Sequence, residues 1–302
     1  MKHKRRKEAT EYLKNHVFFK QYLGGIDFSK YKYIKVDYSK NTQYGGLLDT
    51  VSQFNDYIKL SYYLGLKLIA PSRHLQQSHN DGRPSDFVFS EYFDVNSIKV
   101  GQTEIKLAGN IESLNPDDII TIEGLGYVTP NYQPESGLDL IHFKKMLRER
   151  PVCVSYDPSE KYINLADDFV QKNQIEGCIH IRRGDRLNVG ASCWGISPDE
   201  WDYGTRSENI LDFLDSRSAP KSIYIMTDMK ADDLIIEELR SNSKYEFLFL
   251  YDYDKLVELK KEDNYKVFHL EGCIRTHKLI QFQADRFDPI KFYKEQNDLP
   301  QA

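Results

Sequence analysis

The first half of the chain predicts a strand, a helix and a second strand in succession. Residues 31–39, YKYIKVDYS, alternate apolar and polar side chains, which is the pattern of a half-buried strand. Within residues 49–64 apolar side chains recur at helical spacing, and Gly65 marks the expected end of the helix. The segment LKLIAPS (66–72) predicts the second strand. Such a β-α-β unit implies a parallel sheet with a Rossmann-like twist.

The second half repeats this alternation of helices and strands. Apolar spacing predicts helices over 159–173, 205–217 and 231–242. Short apolar runs between them predict strands over 176–182, 222–228 and 245–253. Residues 265–282 have helical or mixed character, and PVCVSY (151–156) is either a linker or a first strand.

The intervening region, 75–150, is polar and turn-rich, with strand candidates at 97–100 and 118–125. We assign it to the first domain. The prediction is therefore an α/β fold of two Rossmann-like domains, residues 1–150 and 151–302, facing each other across a cleft. The carboxyl ends of the strands are where such sheets bind ligands.

Composition limits the partners of this 302-residue chain. A net charge of −5 argues against nucleic acid, which favours a strongly basic face. No run of 18 apolar residues occurs, so no transmembrane segment is predicted. The four cysteines are widely spaced, which indicates reduced thiols and a cytoplasmic protein. The soluble part of a membrane-anchored enzyme has the same pattern.

The stretch CIHIRRGDRLN (178–188) places two arginines at the end of an apolar run. Alternation along a strand puts His180 and Arg182 on one face and delivers both to its carboxyl end. Arginine forms bidentate, charge-assisted hydrogen bonds with phosphate, so Arg182 is a candidate clamp for a diphosphate. The alternative is a structural turn in which an arginine pairs with Asp185. An integrin-type Arg-Gly-Asp loop is disfavoured because the motif follows a buried strand.

His180, Arg182, Arg183 and Asp185 form the pattern His-x-Arg-Arg-x-Asp, which resembles the signature of the α1,2-, α1,6- and protein O-fucosyltransferase superfamily, most of all the α1,6 type. Two further segments agree with this. IYIMTD ends in Thr227 and Asp228, and an acidic residue, Glu271, follows in FHLEGCIR. The glycine turn at Gly45 and Gly46, with the helix and strand after it, is also similar to that family.

The resemblance implies a GT-B enzyme that transfers a sugar, usually fucose, from a GDP donor with inversion and without a metal or other cofactor. The acceptor is a glycan or another hydroxyl-bearing molecule. Arg182 would hold the diphosphate and act in catalysis. The donor would also contact a set of residues that the motif and its neighbours supply: Gly45, Gly46, His180, Arg183, Asp185, Thr227, Asp228 and Glu271. Glu271 would read the guanine N–H groups, although it could equally complement a helix dipole.

Two departures from the family pattern assign further residues. Asp49 or Gln53 stands where the family usually has asparagine, and Asp49 is then a candidate general base. FQADRF replaces the family's hydroxyl-rich phosphate-binding cluster, and Arg286 is the candidate to supply the missing donors. Arg183 follows Arg182 by one position, so the pleat turns it toward the opposite face, where we expect a structural carboxylate as its partner.

Other residues suggest alternatives to a metal-independent fucosyltransferase. Asp252 and Asp254 form an Asp-x-Asp pattern that suits a metal-dependent glycosyltransferase, or else a solvated strand end. Trp194 and Trp201 are candidates for stacking on the acceptor sugar. No cysteine or histidine spacing fits zinc, and no P-loop pattern occurs. A non-catalytic nucleotide-sugar or carbohydrate-binding protein also remains open.

Overall fold

The computed structural model describes residues 27–38, 46–70, 72–123, 153–184, 186–189, 196–276 and 280–281. The chain divides into two compact units, and the boundary lies between Glu160 and Lys161. The boundary predicted after residue 150 assigns 153–160 to the second domain, whereas the structure joins this segment to the first unit. No helix in the described residues is long and apolar enough to cross a membrane.

The first unit is built around a parallel sheet. Its strands are β1 (Tyr33–Asp37), β2 (Lys67–Leu68) and β7 (Ile119–Glu123), in the order β2-β1-β7. Helix α1 (Leu47–Leu64) lies between β1 and β2 in the chain and ends at Gly65, whose φ of 76° is left-handed and favours glycine. The predicted β-α-β unit is confirmed. The strand candidate at 118–125 is its third parallel strand.

The described part of the first unit also contains two antiparallel sheets. Strand β3 (Ser72–His74) pairs with β4 (Asp86–Val88), and α2 (Phe89–Tyr92) follows. Strand β5 (Lys99–Val100) lies between β6 (Thr103–Glu104) and β8 (Val154–Ser155). Residues Val154–Ser155 therefore form a strand of the first unit instead of opening the second domain. Short 3₁₀ turns occur at Phe28–Lys30, Gln77–Asn80, Ile111–Ser113 and Pro116–Asp118.

The second unit contains a four-stranded parallel sheet in the order β11-β10-β9-β12. Its strands are β9 (Gly177–Ile181), β10 (Ser222–Thr227), β11 (Glu246–Phe249) and β12 (Ile280–Gln281). A 3₁₀ turn, Leu250–Asp252, follows β11. The helices of this unit are α3 (Glu160–Lys172), α4 (Arg186–Val189), α5 (Pro198–Gly204), α6 (Ser207–Ser216), α7 (Leu234–Arg240), α8 (Asp254–Glu262) and α9 (Asn264–Thr276).

The core of the second unit joins the sheet to α6 and α7. Ile179 and Ile181 of β9 and Ile223 and Ile225 of β10 are buried together with Phe213 of α6. The predicted alternation of strands and helices is thus confirmed, and residues 265–282 contain α9 from its second residue onward and then β12. The facing of two domains across a cleft stays a prediction.

Candidate functional site

The strand order of the second sheet singles out the carboxyl end of β9. The chain passes from β9 to β10 and then to β11 in one direction, whereas β12 pairs with the other side of β9. In open parallel sheets, ligands bind where the strand order reverses in this way, outside the carboxyl ends of the strands. The residues that follow β9 directly are Arg182, Arg183 and Gly184. The motif found in the sequence therefore lies at the switch point of its sheet.

Arg182 and His180 have partly exposed side chains on this strand, between buried Ile179, Ile181 and Arg183. The alternation predicted from the sequence is thus present. Arg182 retains 27% of its side-chain exposure, and its Nε lies 4.0 Å from Oδ2 of Asp228. A cationic fork that is half-buried at the end of a strand can bind an anion more strongly than a fully solvated one, since screening by water is weaker.

Thr227 and Asp228 are brought next to Arg182 by the parallel pairing of β9 and β10. Thr227 lies opposite Ile181 in the register, and its Oγ1 accepts a hydrogen bond from the Met229 amide at 3.1 Å. Asp228 Oδ1 accepts from the backbone N–H of Arg183 at 2.6 Å and of Gly184 at 3.0 Å. The Asp228 carboxylate therefore bonds to the loop that carries Arg182.

Arg183 points the other way, into the protein. Its side chain is 10% exposed, and its guanidinium donates to Oδ1 of Asp202 at 2.6 Å and to Oγ1 of Thr205 at 2.8 Å. Burial would raise the pKa of Asp202, but hydrogen bonds from Arg206 and Arg183 outweigh it and hold that pKa below its ordinary value. The expected carboxylate partner of Arg183 is therefore Asp202. This contact does not support a role for Arg183 at the donor, and that role stays a prediction.

Asp202 lies in helix α5, and Thr205 follows the helix directly. The sequence at the start of α5 has strong N-capping residues. Ser197 caps the helix and exchanges hydrogen bonds with Glu200 in a capping box, and Pro198 occupies the first turn. Trp201, one turn further on, is fully buried and donates from Nε1 to the Arg182 carbonyl oxygen at 2.7 Å. A wholly buried indole offers no face to a sugar. The burial therefore does not support the assignment of Trp201 to the acceptor, which stays a prediction.

Glu271 lies in the interior of the second unit, in the middle of α9. It is buried, and Oε1 accepts a hydrogen bond from the Tyr224 hydroxyl of β10 at 2.9 Å. The buried, mid-helix position of Glu271 supports neither the guanine-reading role nor the helix N-terminal role. The guanine-reading role stays a prediction. Burial raises the pKa of Glu271 to about 7, although the Tyr224 hydrogen bond and Lys260 act in the opposite direction.

Replacing Glu271 by glutamine should stabilise the protein at alkaline pH. A carboxyl whose pKa is raised from 4.5 to about 7 on folding contributes stability fully below pH 4.5 and loses it as pH rises through 7. Glutamine keeps the acceptor for Tyr224 and does not ionise. We expect Glu271→Gln to match the wild type at pH 4.5 and to exceed it by roughly 1–3 kcal/mol at pH 8.5, measured by urea unfolding. A difference in the free energy of unfolding between the two proteins that stays the same from pH 4.5 to pH 8.5 would contradict the prediction.

The first unit has an equivalent switch point at the carboxyl end of β1, since β2 and β7 lie on opposite sides of it. Gly46 precedes α1 there, and a Cβ on it would come within 3.3 Å of His79 Nδ1, so the close approach favours glycine. Asp49 is exposed, and its Oδ2 accepts from the Gly46 amide at 3.3 Å. Asp49 thus caps the helix here, and its role as general base stays a prediction.

Arg73 is a functional candidate that the sequence analysis missed. Its side chain is buried beside α1, where it donates to Gln53 Oε1 at 2.6 Å, and its guanidinium lies 4.9 Å from the centre of the Tyr38 ring. Burial raises the pKa of the Tyr38 phenol to about 12, although the positive charge of Arg73 acts in the opposite direction. Tyr38 is therefore neutral beside the arginine at neutral pH. A single arginine in a three-residue strand carries no periodic signal from which this burial could be read.

Asp252, the first carboxylate of the Asp-x-Asp pattern, bonds to other groups of the protein. Asp252 Oδ2 accepts from the Phe249 amide at 2.8 Å, and Oδ1 pairs with Arg240 Nη2 at 2.5 Å. Asp254 is the first residue of α8. Among the described residues no group of three or more histidine, cysteine, aspartate or glutamate side chains is arranged to hold a metal ion. Gly45, Asp185, Trp194 and Arg286 lie outside the described residues.

Comparison with known proteins gives one kind of likeness. No protein-family model and no curated protein matches the chain. Solved structures of POFUT1 are similar to it. POFUT1 in complex with GDP has 13% sequence identity and a TM-score of 0.44, covering 82% of this chain and 94% of that one. POFUT1 in complex with GDP-fucose has 12% identity and a TM-score of 0.42, covering 84% and 96%. At these values the likeness assigns no activity to the chain.

Proposed function

We propose that the protein is an inverting, metal-independent glycosyltransferase of the fucosyltransferase type, with GDP-fucose as donor and a hydroxyl group of a glycan or other molecule as acceptor. The observation that carries the proposal is the position of Arg182, which follows β9 directly at the switch point of the second sheet. The His-x-Arg-Arg-x-Asp resemblance supports it independently. The preference for guanine rests on that resemblance alone, because Glu271 lies in the core.

The chemistry asks for positive charge where the diphosphate leaves. As the acceptor oxygen attacks the anomeric carbon, the bond from that carbon to the donor's phosphate oxygen breaks, and negative charge grows on the diphosphate. A guanidinium fork held there stabilises the charge by two charge-assisted hydrogen bonds. The acceptor's proton passes to a base, for which Asp49 is our candidate.

Nucleotide binding and sugar release test the proposal together. A thermal-shift panel of GDP, UDP and ADP should show the largest rise in melting temperature with GDP, since a ligand that binds only the native state stabilises it. Incubation with GDP-fucose should then release fucose to water or to an acceptor. Binding of GDP without any release of fucose would instead favour a non-catalytic nucleotide-sugar-binding protein.

Sugar transfer should be unaffected by excess EDTA. Arg182 supplies positive charge from the protein itself. In a metal-dependent enzyme EDTA instead removes the cation that holds the diphosphate. We expect Asp254→Asn, measured by release of GDP from GDP-fucose, to keep most of the activity. Asp252→Asn should retain activity as well, with a small loss of stability from its partly exposed pair with Arg240. Activity abolished by EDTA and restored by manganese would overturn the mechanism.

A further inference from the structure

The loop from Arg182 to Gly184 is held by side chains from two other elements. Trp201 of α5 donates to the Arg182 carbonyl oxygen at 2.7 Å. Asp228, after β10, accepts from the amides of Arg183 and Gly184 at 2.6 and 3.0 Å. Each backbone polar group named here is therefore satisfied by a side chain distant in sequence. Such bonds fix the backbone from which the Arg182 side chain projects.

Asp228 is the part of this arrangement that also approaches the guanidinium. While Oδ1 bonds to both amides, Oδ2 lies 4.0 Å from Arg182 Nε. A carboxylate in this position favours one orientation of the arginine fork, with Nε toward Asp228. It also carries negative charge, so contact with a diphosphate would be repulsive, and the direct donor contact expected from the sequence is unfavourable.

Gly184 is required by the same carboxylate. A Cβ at Gly184 would lie 2.6 Å from Asp228 Oδ2 and 3.0 Å from its Cγ, so any side chain there would displace the Asp228 carboxylate. The backbone at 184 thus approaches Asp228 so closely that only glycine lets both amide bonds form. The Arg-Gly-Asp sequence has a steric reason at its middle position, unrelated to recognition by a receptor.

We infer that Asp228 is a positioning residue, which orients Arg182 toward the diphosphate through the amides of Arg183 and Gly184 and does not itself bind the donor. The inference rests on the proposed function, because it takes Arg182 as the group that meets the diphosphate. The inference distinguishes the binding energy of the phosphates from that of the nucleoside. Loss of Asp228 weakens the contacts made to phosphate and leaves those made to the nucleoside.

The test combines Gly184→Ala and Asp228→Ala. Alanine at 184 displaces the Asp228 carboxylate without removing any hydrogen-bonding group, so each single variant should lower GDP affinity about tenfold or more, measured by calorimetry. With Asp228→Ala present there is no carboxylate to displace, and Gly184→Ala should then change the affinity less than twofold. Binding of guanosine, which lacks phosphate, should change less than twofold in all variants.

Gly272→Ala is the matched control, because a Cβ at Gly272 in α9 would meet no atom of the described residues within 4 Å, apart from its chain neighbours and its own helix backbone. It should leave GDP affinity unchanged. The inference would be overturned if Gly184→Ala lowered GDP affinity equally in the wild-type protein and in Asp228→Ala. It would also be overturned if Gly184→Ala lowered GDP affinity in neither protein. A tenfold loss of guanosine affinity in Asp228→Ala would overturn it as well, since this would place Asp228 against the nucleoside.

Hydrogen exchange separates this inference from the proposed function. If the wild-type protein binds neither GDP nor UDP, the proposed function fails. The Gly184 amide then decides the positioning role, because a bonded N–H exchanges slowly. Faster exchange at residues 183 and 184 in Asp228→Ala supports the role, and unchanged exchange overturns it.

Discussion

Replacing Arg182 by lysine should lower the turnover of GDP-fucose on the order of a hundredfold while leaving the fold intact. Lysine keeps the charge but lacks the planar fork that forms two parallel bonds to a diphosphate. The side chain is partly exposed at the end of β9, so the substitution removes little packing. Initial rates of GDP release at saturating donor measure the effect, and circular dichroism checks the fold.

Arg240→Lys is the matched control for this change. Arg240 is 41% exposed on α7 and pairs with Asp252. Its replacement should leave turnover unchanged. Near-wild-type turnover in Arg182→Lys would remove Arg182 from the reaction and with it the proposed mechanism.

Replacing Trp201 by alanine should destabilise the protein by about 3–5 kcal/mol, the range typical of a large buried aromatic side chain. Trp201 is fully buried, with Ile196 in its cluster and Leu187 packed against it. The variant also loses the indole N–H that bonds to the Arg182 carbonyl oxygen. Chemical denaturation followed by far-ultraviolet circular dichroism measures the change in the free energy of unfolding.

Tyr203→Ala, two residues along the same helix, should cost less than about 1 kcal/mol, because exposed substitutions rarely cost more. Tyr203 is 38% exposed and contacts Arg206 at its surface. An acceptor-stacking tryptophan would behave differently, with unchanged stability and a raised KM for the acceptor. That result in Trp201→Ala would support the acceptor role predicted from the sequence.

The alternation of side chains along strands made the central part of the site predictable. A period of two places His180 and Arg182 on one face and Arg183 on the other, whatever the surroundings. The order of helices and strands placed their strand in a parallel sheet, and ligands bind at one end of such a sheet. Local pattern therefore sufficed for Arg182.

Trp201 and Glu271 were not predictable in this way, because what decides their roles is a partner far along the chain. The Trp201 indole meets a carbonyl 19 residues away, and Glu271 meets a hydroxyl 47 residues away. Carboxylates are rarely buried, so composition favours a surface position for Glu271. Only the packing of α9 on β10 places it in the core.

The segment just before the unit boundary affects the order in which the nascent chain can fold. Tyr156 packs edge-on against Phe89 and Phe93, with ring centres 5.1 and 4.7 Å apart, and Ser159 donates its amide to the Tyr92 carbonyl oxygen at 2.9 Å. A ribosome delivers these residues long after the aromatic side chains they cover. Until residue 156 has left the ribosome, Phe89 and Phe93 lack their contacts with the Tyr156 ring. The first unit therefore completes its folding only when synthesis of the second is already under way.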